Sequence, residues 1–268
     1  MFSLHTLCAP PLLLGLLCTA AAQQAPTTPG TPDKSSAWTL RGGVGAAVAP
    51  KFPGSNRGQL GLLPVFEARY REQFIISTLR GIGYEAKLNE QLSVSAALAP
   101  DMERRRAKDD KRLTGLGDVK WAPALRLGAE LNAGPLLLSA GTSTRLGKSK
   151  ELGGRGTRVE FDAGYALRPM PGVGLIVGAS AQLMDGKLAS ALFGVTPAQA
   201  AASGLAVHRA DAGLTSLGLF AKAHYRIDSD WSLQAKLELA SLRGAAASSP
   251  VVKKKLQPGL ALMVSRAF

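Results

Sequence analysis

Apolar and polar residues alternate with a period of two along much of the chain. From Val173 to Leu183, the set Val173, Leu175, Val177, Ala179, Ala181 and Leu183 alternates with Gly174, Ile176, Gly178, Ser180 and Gln182. From Trp231 to Leu239, Trp231, Leu233, Ala235, Leu237 and Leu239 alternate with Ser232, Gln234, Lys236 and Glu238. Val159–Leu167 and Leu217–Tyr225 repeat the pattern. Successive side chains of a strand point to opposite faces, so each segment has one greasy face and one polar or small face. A soluble sandwich would alternate in the same way, and length separates the two. Runs of about 10 to 13 residues exceed the mean soluble strand of about 5–6 and match the roughly 9–11 that cross a bilayer. The pattern predicts an all-β, antiparallel transmembrane barrel.

The connections point the same way. Short turns fall at Arg71-Glu72-Gln73, Asn132-Ala133-Gly134, Pro169-Met170-Pro171-Gly172 and Asp228-Ser229-Asp230. Long polar or irregular stretches lie near 50–61, 101–116, 147–156, 185–213 and 244–256. Short periplasmic turns and long outer loops are the expected asymmetry of such a barrel. Eleven strands are clear, and bacterial single-chain barrels have even numbers. Splitting 74–99 with a turn near Arg80-Gly81 gives about twelve, with ten as the alternative. The segment Thr196-Pro197-Ala198-Gln199 supplies a cap and a proline at the first helical position, and Gly204 a stop. It predicts a short helix at the barrel mouth.

The two ends of the chain fit export to the outer membrane of a Gram-negative bacterium. Leu7–Leu17 is apolar, too short to span, and followed by Thr19-Ala20-Ala21-Ala22, a small-residue cleavage site. Residues 1–22 are therefore expected to be a signal peptide, 23–37 a disordered Pro/Thr/Ser-rich leader, and 38–268 the barrel. Both cysteines, Cys8 and Cys18, lie in the first of these segments. At the other end Leu260, Leu262, Val264 and Phe268 share one parity, so the last strand is amphipathic and ends on an aromatic. Phe268 is the candidate membrane-insertion signal.

Charge narrows the partners. The net charge is +13, with mean hydropathy +0.08. An exported chain meets no nucleic acid, which leaves lipopolysaccharide phosphates and murein carboxylates as anionic partners. Arg104, Arg105 and Arg106, and Lys253, Lys254 and Lys255, each read first as part of a solvated outer loop. Their second reading is a contact for lipopolysaccharide phosphates. Inward-parity Lys222, Arg226, Lys236 and Glu238 either form an interior ion-pair network or line a channel. No cofactor or metal is expected, because ligand residues are not clustered at metal spacing. His208 and His224 sit in no nucleophile motif, so no enzymatic activity is expected.

Five stretches together resemble the MipA/OmpV family of outer-membrane proteins. They are Tyr70-Arg71-Glu72-Gln73-Phe74, Arg80-Gly81-Ile82-Gly83, Leu113-Thr114-Gly115-Leu116-Gly117-Asp118, Phe193-Gly194-Val195-Thr196-Pro197-Ala198-Gln199 and Ser249-Pro250-Val251-Val252. The resemblance covers essentially all of 38–268. It implies an outer-membrane barrel that acts as a scaffold, bringing a lytic transglycosylase and a murein synthase together for peptidoglycan biogenesis. Family members usually carry an aromatic two residues before the last; here Arg266 stands there. The alternative is a small porin-like channel or a surface-contact barrel for adhesion or lipopolysaccharide binding.

Overall fold

The computed structural model describes residues 37–147 and 155–268. The expected signal peptide, 1–22, and nearly all of the leader, 23–37, lie outside the described residues. Among the described residues, twelve antiparallel strands each pair with their chain neighbours, and the last returns to the first to close a barrel. They are β1 Trp38–Pro50, β2 Gly58–Tyr70, β3 Phe74–Ser77, β4 Gly81–Lys87, β5 Leu92–Asp101 and β6 Ala122–Ala133. The second half follows as β7 Leu136–Arg145, β8 Thr157–Met170, β9 Val173–Met184, β10 Gly213–Arg226, β11 Trp231–Leu242 and β12 Leu256–Ala267. The split near Arg80-Gly81 is therefore real, and twelve is the count.

Closure explains the amphipathic last strand. β12 pairs with β1 from Arg41↔Ala267 to Val48↔Leu260, so no free edge remains at the seam. Leu260, Leu262 and Phe268 point outward while Gln257, Ala261, Met263 and Ser265 are buried inside. The same alternation runs round the wall, with Leu217, Leu219, Leu237 and Leu239 outward and Phe220, Lys222, Lys236 and Glu238 inward. Aromatic rings gather at the end with the short turns. Trp38 and Tyr70 stack at 5.0 Å, and Phe74 meets Tyr84 edge-on at 5.0 Å. That is the interfacial belt expected of a membrane barrel.

One connection departs from the expected asymmetry. On the outer side, β3 and β4 are joined by residues 78–80 alone, and the two strands are four and seven residues long. The wall is thus low at this point, and β2 continues upward beyond its partner. Elsewhere the outer connections are long, and among the described residues they hold three α-helices: α1 Gly186–Phe193, α2 Pro197–Ser203 and α3 Gly244–Ser248. The sequence anticipates only α2. Its Thr196 cap receives the Gln199 amide and returns the bond through the Gln199 side chain, and Gly204 ends it at φ 73°.

Because the outward face is solvated by lipid, Leu237→Arg places a cation in hydrocarbon. It should lower barrel stability by about 2–4 kcal/mol in denaturant unfolding from vesicles. The inward Ser265→Ala should change it far less.

Candidate functional site

The outer loops pack into a roof with its own hydrophobic core. Leu188, Ala191, Leu192 and Phe193 of α1 pack against Val119, Met184, Leu242 and Ala246. A second cluster joins Phe52, Leu113, Leu116, Val195 and Val251. Arg105 ties the two together. Its guanidinium donates to the Leu192 carbonyl at 2.8 Å and the Leu116 carbonyl at 3.2 Å, and its backbone bridges to Val119. Gln199 Nε2 donates to the Leu116 carbonyl at 2.7 Å, and Arg112 donates to the Pro250 carbonyl at 3.1 Å. Three of the sequence stretches singled out above, at 113–118, 193–199 and 249–252, therefore converge in this roof.

Below the roof lies a buried charge cluster. Arg145 Nε meets Asp101 Oδ2 at 2.7 Å, while Arg158 reaches Asp101 at 3.3 Å, Glu103 at 3.2 Å and Glu160 at 3.0 Å. Arg145 also donates to the Lys120 carbonyl at 3.0 Å and to the Glu103 carbonyl. Burial pushes the Glu103 carboxyl above the ordinary range, against the pull of the Arg158 guanidinium. Buried charges persist only when paired and hydrogen-bonded. The cluster therefore acts as a rigid pin between β5, β7, β8 and the roof.

The lumen is narrowed further down. Gly164 and Gly178 leave room for the Phe220 ring: a Cβ on Gly178 would fall 2.6 Å from it. Lys222 Nζ lies 4.7 Å from that ring's centre and 3.9 Å from Asp162. Lys236 and Glu238 pair at 2.7 Å. The interior network expected from Lys222, Lys236 and Glu238 is present, with Asp162 added. Arg226 is not part of it and stands exposed at the periplasmic rim.

Among the described residues the periplasmic end is open. A vestibule of about 570 Å³ is lined by Arg41, Arg69, Arg71 and Lys87 and by Glu67, Glu72, Glu85 and Glu90, among others. At its rim Arg71 and Glu72 adopt φ 49° and 58°. Among the described residues they are the non-glycine positions in the left-handed region. Each costs about 1 kcal/mol there. Arg71 stacks 5.3 Å from the Tyr70 ring centre, and Glu72 faces Lys87 at 3.6 Å in solvent. Surface contacts of that kind supply little; the turn is closed by the Gln73 amide donating to the Tyr70 carbonyl at 3.1 Å and the Arg71 amide to the Ala37 carbonyl at 2.8 Å.

The model of one protein family, MltA-interacting protein MipA, matches residues 42–268. The chain belongs to the MipA family. No curated protein matches it. Among solved structures it is similar to an outer membrane channel from Pseudomonas putida F1. Identity there is 13%, with 90% of this chain and 100% of that chain covered, at a TM-score of 0.43. It is also similar to OmpT of Vibrio cholerae, at 7% identity, 88% and 99% coverage and a TM-score of 0.37. This MipA-family protein is an outer-membrane barrel.

The six basic residues expected to meet lipopolysaccharide separate in three dimensions. Arg104 and Arg105 are buried, which corrects their reading as solvated loop residues. Arg105 is held by roof carbonyls, and Arg104 donates to Gln59 Oε1 at 3.0 Å. Neither guanidinium is placed to reach a phosphate. Arg106 pairs with Asp109 at 2.9 Å. Lys253 is also engaged, bonding Asp110 at 2.7 Å, whereas Lys254 and Lys255 are exposed. His208 is half-buried with its ring nitrogen 2.8 Å from the Ala245 carbonyl, and the nearby Asp211 pairs with Arg209 at 2.6 Å. The sequence reading missed Arg145 and Arg158. Their signal was a cation on the inward parity at the outer ends of two strands.

Removing one partner from the cluster strands a buried charge. Arg145→Ala should cost about 3–5 kcal/mol in denaturant unfolding. The Lys253–Asp110 clasp should respond to acid. The Lys253 hydrogen bond holds the Asp110 carboxyl below its ordinary value. Its contribution is therefore full above the unfolded carboxylate range and is lost as pH falls through the depressed folded value. A nitroxide at position 254 should gain mobility on that descent, and Asp110→Asn should show the mobile signal at neutral pH.

Proposed function

We propose that this protein is a non-enzymatic adaptor that joins the outer membrane to murein-processing enzymes on its periplasmic side. The observation that carries this reading is the asymmetry of the two mouths. The outer mouth is roofed by packed loops, and the periplasmic one opens into a charged vestibule. The family is named for an interaction with MltA, a lytic transglycosylase, and its binding surface has to be reachable from the periplasm. Paired acidic and basic groups around a concave rim can orient a protein partner and resist non-specific sticking. Arg71 and Glu72 project from that rim in a strained turn, and strain of this type concentrates at functional sites. On this reading the Pro/Thr/Ser-rich segment 23–37, freed from the signal peptide 1–22, is a second contact with the partner. Phe268 is the aromatic end that the assembly machinery recognises.

A porin-like role gains less support. Phe220, the ion pairs and the roof all lie across the path that a solute would take. Of the six basic residues first considered for lipopolysaccharide, Lys254 and Lys255 are the two left exposed.

The test exploits the turn. Arg71→Asn with Glu72→Gly installs the residue pair that left-handed positions favour and removes both charges. Barrel stability should hold or rise. Capture of a purified lytic transglycosylase by the full chain in detergent should fall by about ten-fold, as expected when two hydrogen-bonded charges leave an interface. Undiminished capture by the double variant would exclude the rim, and no capture by the parent barrel would exclude the adaptor role.

A further inference from the structure

The low wall at β3 and β4 leaves a window in the barrel. Above Ser77, β2 has no strand on its β3 side, and above Gly81 neither has β5 on its β4 side. The window has a complete frame. Its sill is the turn 78–80, where Thr78 bonds Phe66 through its backbone amide at 3.0 Å and donates from Oγ1 to the Pro64 carbonyl at 3.0 Å. Its lintel is Arg104, reaching across to Gln59 at 3.0 Å. Behind it, Leu79 packs against Leu63, Val65, Met102 and Met263.

The jambs are unequal. In an antiparallel ladder alternate residues aim both backbone groups at the same neighbour. Phe66 faces β3, so Pro64, Leu62 and Leu60 face the window. Pro64 has no N–H and its carbonyl is taken by Thr78. On β5, Pro100 faces the window, also without an N–H, and its carbonyl accepts from Arg126 Nη2 at 2.9 Å. Prolines blunt both edges. Leu60 and Leu62 are the exception: two N–H and two C=O groups face an opening with no strand across it. Their side chains are 65% and 60% exposed on the lipid side. They lie ten and eight residues above Tyr70 of the aromatic belt. A span of roughly 9–11 residues puts Leu62 in hydrocarbon and Leu60 at its outer boundary, and hydrocarbon does not tolerate unpaired backbone groups.

We propose that this window seats one acyl chain of a phosphorylated outer-leaflet lipid whose chains are joined through amides and carry hydroxyls, the chemistry of lipid A. The apolar cluster behind the window receives the chain, and flexible Met102 and Leu79 yield to it. Leu60 and Leu62 need both acceptors and donors, which an amide and a hydroxyl supply. The ester linkages of a phospholipid bring acceptors alone at the depth of the chains and would leave both carbonyls unpaired. On this proposal Arg57, exposed at the head of β2 and close enough to Asp110 to help lower that carboxyl, meets the phosphate. A second copy does not fit. Two barrels inserted the same way are related by an axis along the membrane normal, which would set like backbone groups of their β2 strands against each other.

The test uses the full chain in its own membrane. A photoreactive benzoylphenylalanine replaces Leu62, or Leu237 on the far wall as the boundary-lipid control, and adducts are read by mass spectrometry. Lipid A adducts at 62 should exceed those at 237 by at least about five-fold, the factor one ordinary hydrogen bond supplies. Equal yields at both sites, phospholipid as the main adduct at 62, or crosslinks to a second copy or another protein would each overturn the proposal. Leu62→Pro, with the photoreactive residue moved to position 60, removes one donor and should lessen the preference. A preference unchanged in a barrel that still migrates as folded would overturn it too. Should that variant not fold, the yield at 62 decides. The adaptor reading concerns the opposite end of the barrel and stands or falls separately.

Discussion

In hydrocarbon a backbone amide has no water to turn to, and the whole molecule is organised by that constraint. Twelve strands satisfy it by pairing edge to edge, and the seam between β1 and β12 satisfies it for the ends of the chain. The outward leucines need no partner because lipid solvates them. What remains inside is mostly small, polar or charged, with Phe220 and the Leu79–Met263 cluster as the large apolar exceptions. The short β3–β4 hairpin is the exception, and the molecule treats it as a hazard. Prolines stand on both jambs, and side chains of Thr78 and Arg126 take up the carbonyls that those prolines expose.

A second constraint acts where the strands end. A barrel mouth facing water can be open or packed, and the outer one is packed. Its roof is a small globular core built from segments far apart in sequence, held by Arg105 and seated on the Asp101–Glu103–Arg145–Arg158 cluster. The stretches by which the chain resembles its family at 113–118, 193–199 and 249–252 are the material of this roof. They are motifs of packing, in which Gly115 lets the chain pass close to Ala202 and Thr196 caps a helix. The contact proposed on the periplasmic side rests on a different set of residues, at the vestibule rim.

The run Asp101–Arg112 shows where reading a sequence by composition fails. Six bases and four acids in twelve residues describe a solvated loop if each charge is taken alone. In the folded chain Asp101, Glu103, Arg104 and Arg105 are buried, because Arg145 and Arg158 arrive from β7 and β8 and roof carbonyls arrive from 116 and 192. The partners come from residues tens of positions away, and nothing local to the run announces them. Lys254 and Lys255, in contrast, are exposed as their composition suggests, since no distant element covers them.

Side-chain alternation is a local property, fixed by the geometry of an extended chain. The sequence by itself therefore determined the strands, their inward and outward faces, the helix after Thr196, and the closing role of β12. Whether a charge is solvated or pinned, whether a mouth is roofed, and whether the wall is complete depend on which strands stand side by side and how high each one rises. Those are matters of long-range register, and the tertiary structure alone decided them.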